Sequence, residues 1–109
     1  MKLFYIKNEK RGINASGFYK QESGEFVVNE GSVVEFFSMG TCKNVPLRDH
    51  YIKDFCRPEG KDFAIIENPI VFPSPSAAAV FVKNKSSNGW TEWKDEDKKP
   101  LDSFYERKK

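Results

Sequence analysis

The chain has 109 residues, a hydrophobic content of 39%, an aromatic content of 15% that includes ten Phe, and a formal net charge of +2. That length suits one domain around one core, and a chain so rich in aromatics can bury enough apolar area to fold alone. Charged residues make up 31% with both signs interspersed, which excludes a disordered chain, and no apolar run reaches membrane-spanning length.

Residues 3–8 (Leu-Phe-Tyr-Ile-Lys-Asn) are aromatic and β-branched and suit a strand. A turn-rich stretch follows from Glu9 to Ser16, and Gly17-Phe18-Tyr19-Lys20 reads as a second short strand. Glu22-Ser23-Gly24-Glu25 forms a tight turn in which Gly24 can take positive φ. Phe26 to Asn29 is a third strand. Glu30-Gly31-Ser32 interrupts it, and Val33 to Phe37 resumes it. Ser32 with Glu35 could instead open a helix as a capping box, but paired valines and phenylalanines favour strand. Short strands joined by short turns imply an antiparallel meander.

After a loop over 38–45 the pattern changes. Leu47, Tyr51, Ile52 and Phe55 fall at helical spacing behind Pro46, which predicts a helix over about 46–56 ended by Pro58-Glu59-Gly60. Phe63 to Glu67 and Ile70 to Phe72 are β-prone, with Asn68-Pro69 between them.

The clearest local signal comes next. Ser74 is a good N-cap, Pro75 suits the first helical position, and Ala77-Ala78-Ala79 leave a thin side that can approach a sheet closely. Asn84 and Asn88-Gly89 tolerate left-handed φ and are expected to stop this helix. Trp90 to Lys94 reads as a short strand whose two tryptophans differ in parity and so point to opposite faces. A charged turn, Asp95 to Lys99, leads to a final short helix from Pro100, with Leu101, Phe104 and Tyr105 on one stripe. The expected fold class is therefore α+β: an antiparallel β-meander with two or three short helices in one compact domain spanning 1–109. Its parts are N-terminal strands over 3–37, a helix over about 46–56, and a C-terminal helix-strand-helix unit over 74–106.

Charge is unevenly spread. Residues 1–20 carry five basic residues against Glu9, and 21–42 carry four glutamates with no basic residue. Such a bipolar surface could face a polyanion, although solvated charge is the simpler reading. Leu3 to Ile6 is too short for an apolar targeting segment, so a cytoplasmic location with reduced thiols is expected.

Catalytic signals are weak. Cys42 and Cys56 are separated by thirteen residues with no Cys-x-x-Cys spacing, and His50 is the sole histidine, so no metal, cofactor or Cys–His nucleophile is expected. Asp95, Glu96 and Asp97 lie in a solvated turn, a poor setting for a shifted carboxyl pKa. The chain is expected not to be an enzyme. The candidate nucleic-acid contacts are Lys83, Lys85, Asn88, Trp90, Trp93 and Lys94, where cations lie near aromatic faces. From the residues alone the simpler reading keeps both tryptophans in the core and the lysines solvated.

Ser-Pro-Ser-Ala-Ala-Ala (74–79), Ser-Ser-Asn-Gly-Trp-Thr-Glu-Trp-Lys (86–94) and Leu101, with Phe4 to Asn8, Ala15 to Tyr19 and Phe26 to Val28, resemble the domain of unknown function 4357. The likeness spans nearly the whole chain and is weakest over 38–70. It implies a non-catalytic accessory module found beside GIY-YIG nuclease and restriction-type proteins. The same pieces are similar to the RAMA domain, which implies recognition of modified DNA. Expected partners are thus DNA and a nuclease or other protein, or a second copy of the chain; a membrane is not expected. The chain departs from the family where Asn84-Lys85 replaces a usual Gly-Arg, Lys98 a usual Gly, and Pro100 a usual Thr.

Overall fold

The computed structural model of the protein describes residues 2–10, 12–35, 54–59, 63–83 and 87–105. Among the described residues there are seven strands: β1 (Phe4–Asn8), β2 (Ile13–Lys20), β3 (Glu25–Val28), β4 (Val33–Glu35), β5 (Cys56–Glu59), β6 (Phe63–Ile66) and β7 (Ile70–Phe72). Two helices, α1 (Pro75–Lys83) and α2 (Gly89–Glu92), and a 3-10 turn (Leu101–Ser103) follow. The architecture is α+β, with one antiparallel sheet and short helices.

β2 is longer than expected and absorbs part of the predicted turn. It organises the sheet because both of its edges are used. Gly17 pairs Phe4 on one side and Val28 on the other, and Asn14 pairs Lys7 and Val33 in the same way. β1 therefore lies along one edge, while β3 and β4 succeed each other along the opposite one. β7 and β6 flank β3 and β4 in a single register, from Phe26 opposite Phe72 to Glu35 opposite Phe63. Both long strands are thus interrupted at the same level. Ser32 fills the break: its hydroxyl accepts from Ser16 N at 3.1 Å, and Gly31 N and Ile66 N bond across to Ile66 O and Ser32 O. A buried side chain here replaces a main-chain partner that the bulge removes.

The meander holds through β1, β2 and β3 and then fails, since β4 returns to pair β2. β5 precedes β6 in the chain yet lies outside it, pairing Cys56 with Ile66 and Arg57 with Ile65. Cys56 belongs to this strand and not to the helix expected over 46–56. Asp54 and Phe55 are helical, and the rest of that predicted helix lies outside the described residues.

Alternation supplies the core. Phe4, Ile6, Ile13, Ala15, Tyr19, Phe26, Val28, Ile70 and Phe72 are buried along one face of the sheet. α1 covers that face with Pro75, Ala78, Ala79 and Val82, a stripe at the spacing expected of a helix packed on one side. Gly24 closes the β2–β3 turn at φ 81, as its position predicts.

Candidate nucleic-acid interface

The Ser-Pro-Ser and Asn-Gly-Trp segments interlock. Ser74 Oγ accepts from Ala77 N at 3.1 Å, the expected N-cap of α1. Ser76 Oγ accepts from Gly89 N at 3.0 Å, and Trp93 Nε1 donates to Pro75 O at 3.0 Å. A Cβ on Gly89 would overlap the Pro75 carbonyl and the Ser76 nitrogen. Gly89 is thus needed for close approach of two main chains.

Two expectations are corrected here. Asn88 does not end a helix; it starts one, in extended conformation (φ −98, ψ 104) with Oδ1 accepting from Trp90 N at 3.0 Å. Trp90 to Glu92 is accordingly helical and not a strand. At helical spacing, residues three apart share a side, so the parity that separated the two rings does not operate. Both are buried. Trp93 stacks on Phe26 with centroids 4.3 Å apart, and Trp90 meets Tyr19 edge-on at 5.3 Å. Neither ring is free to receive a base. The final helix shortens to the 3-10 turn, with Leu101 buried and Phe104 exposed.

The remaining candidates divide. Lys83 is half-buried and ion-paired to Glu92 at 2.9 Å, tying the end of α1 to the end of α2. Lys85, like Asn84, lies outside the described residues. Asn88 is exposed but its amide oxygen caps α2. Lys94 is exposed and sits at the sheet edge: Tyr5 N donates to its carbonyl at 2.6 Å and its own N–H donates to Tyr5 O at 3.1 Å.

This bridge creates the cleft. Tyr5 directs its N–H and C=O away from β2, so Lys7, two residues on, must do the same. The chain opposite Lys7 has turned into α2, and among the described residues no main-chain partner bonds that edge. An open cleft of about 570 Å³ results, lined by Tyr5, Lys7, Lys83, Glu92, Lys94 and Lys98, among others. Lys7, Lys94 and Lys98 are exposed. The Lys7 ammonium lies 4.9 Å from the centre of the Tyr5 ring, a cation–π contact.

The charged turn forms the cleft's far wall. Asp95 is buried and accepts from Asp97 N and Lys99 N at 2.9 Å each, with Lys2 at 3.3 Å. The Lys99 N–H holds its carboxyl below the usual carboxylate range, against the opposing effect of burial and with help from Lys2 and Asp97 N. Lys98 stands at φ 66, where glycine is ordinarily favoured. Pro100 has φ −70, which its ring requires.

The cap, the Ser76 clasp and the tryptophan hook place the Ser-Pro-Ser and Asn-Gly-Trp signatures at one joint. The chain belongs to the DUF4357 family. That family, described as a domain of unknown function, has a model matching residues 4–105. No curated protein and no solved structure matches the chain. In this DUF4357 domain the signature residues form the joint, while the cleft cations Lys7 and Lys98 lie apart from it in sequence. Neither is a candidate contact by sequence, because nothing local links residue 7 to residues 94–98; long-range pairing brings them together. Among the described residues no three His, Cys, Asp or Glu side chains converge, and Cys42 and His50 lie outside them. No helix of the described residues is long and apolar enough to cross a membrane.

Proposed function

We propose that this DUF4357 domain is a non-catalytic, DNA-binding accessory module that holds the phosphate backbone in the β1-edge cleft. The observation that carries the reading is the convergence of Lys7, Lys94 and Lys98 on one open cleft. None of the three has a carboxylate partner within the described ion pairs, whereas Lys2 and Lys83 are engaged with Asp95 and Glu92. Ammonium groups outside such ion pairs attract phosphates and release condensed counterions on contact. A nuclease or restriction-type protein beside the module would supply the chemistry.

Fluorescence anisotropy with a labelled duplex at low salt tests the reading. Wild-type protein binds, and Lys94→Ala/Lys98→Ala binds at least tenfold more weakly with an unchanged circular-dichroism spectrum. Absence of wild-type binding at low salt overturns it.

One observation favours a second reading, a protein partner. The outward main chain of Lys7 is an open sheet edge, and an extended peptide could pair there. Other edges are blunted, since β5 contains Pro58 and β7 is bracketed by Pro69 and Pro73. A molecular mass that rises with concentration in light scattering would indicate self-pairing at that edge.

A further inference from the structure

We infer that the cleft recognises the phosphodiester backbone alone and is blind to the bases, methylated ones included. This rests on the DNA-binding reading above and narrows its ligand.

Base recognition needs an available ring face, or a fork-shaped amide or guanidinium free to meet a base edge, which the point charge of a lysine ammonium does not supply. The aromatic groups nearest the cleft do not offer one. Trp93 is stacked on Phe26 and spends its N–H on Pro75 O. Trp90 is buried against Tyr19. Among the described residues Tyr5 is the one aromatic lining the cleft, and its ring carries the Lys7 ammonium. Of the nearby amides, the Asn88 oxygen is committed to Trp90 N, and Asn8, which lines the cleft, is engaged within the fold.

Phosphate recognition needs cations and neutral donors, and the cleft has both. Lys7, Lys94 and Lys98 supply three ammonium groups on its walls. The outward N–H of Lys7 adds a donor on its floor, fixed there by the Tyr5–Lys94 bridge. Glu96 also lines the cleft and limits how much negative charge it accepts.

The consequence is quantitative. Three phosphate contacts give a slope of about −2.7 for log affinity against log salt on a duplex, and each lysine removed lowers its magnitude by about 0.9. The test is an anisotropy titration across salt concentrations with AT-rich, GC-rich and adenine-methylated duplexes, a single strand, and a poly-glutamate competitor. The duplexes are expected to agree within about threefold, because phosphate contacts carry no sequence information. Single-stranded DNA is expected to bind with a slope of about −2.1, its per-phosphate release being about 0.7.

Discrimination above tenfold among the duplexes overturns the inference while leaving DNA binding intact. Poly-glutamate displacing DNA at equal charge concentration also overturns it, and assigns the cleft to acidic protein segments. If no nucleic acid binds at low salt, both the DNA-binding reading and the inference fail.

Discussion

Gly89→Ala sets two physical effects against each other. Within an isolated helix, Ala is favoured over Gly by about 1 kcal/mol, so local propensity predicts stabilisation. The tertiary structure predicts the reverse. The added methyl would overlap the Pro75 carbonyl and the Ser76 nitrogen, and both obstacles are main chain, which no rotamer change can relieve. Overpacking of this kind costs about 1–3 kcal/mol. Displacing α2 also loosens the Ser76–Gly89 hydrogen bond, a further loss of about 1 kcal/mol. The net expectation is destabilisation by about 1–3 kcal/mol, a fall in Tm of roughly 5–15 °C for a domain of this size. Urea unfolding followed by tryptophan fluorescence suits the measurement, since Trp90 and Trp93 both sit at the joint. Ser76→Ala should cost about 1 kcal/mol alone and little more when added to Gly89→Ala, because both changes open the same clasp. A Gly89→Ala midpoint equal to or above that of the wild type would refute the close-approach reasoning.

Lys98→Gly should stabilise the fold by about 1 kcal/mol by relieving a side chain held at φ 66, while weakening DNA binding by removing a cleft cation; thermal melting and anisotropy on one preparation check both signs. Tyr19→Phe should be neutral or stabilising by up to about 1 kcal/mol. The Tyr19 hydroxyl is buried without a partner among the described residues, and burial, aided by Tyr105, pushes its phenol pKa up. A loss of stability on chemical denaturation would contradict this. Asp95 has a native pKa below its usual value near 3.8, so its contribution is complete above that value and disappears as pH falls through the lowered native one. The stability advantage of wild type over Asp95→Asn should therefore be present at neutral pH and shrink as pH falls below the usual carboxylate range, as read from denaturation midpoints; an advantage independent of pH would rule out the charge as its source.

Much of the local structure was legible in the residues, because it depends on neighbours in the chain. Short runs of aromatic and β-branched residues mark β1, β3, β6 and β7, and Ser74-Pro75 marks the start of α1 through a cap and a fixed φ. The alanines that follow mark the side of that helix that meets the sheet. The candidate site was less legible. Lys94 was found in sequence, and Lys83 as well, although its ion pair with Glu92 could not be foreseen. Lys7 and Lys98 were missed because the cleft depends on a bridge between residues 5 and 94.

Local preference alone would make a strand of Trp90 to Lys94. The structure makes a helical turn of its first part, because Asn88 supplies a cap, Gly89 admits the Pro75 main chain, and the Trp93 N–H finds the carbonyl there. Burying both rings against Tyr19 and Phe26 outweighs a β-propensity worth less than about 1 kcal/mol per residue. By itself, then, the sequence determined the places of β1, β3, β6, β7 and α1, since those follow from local propensity and capping. Tertiary contact decided the conformation around the tryptophans and the lysines that share a cleft, since both depend on residues tens of positions apart meeting in space.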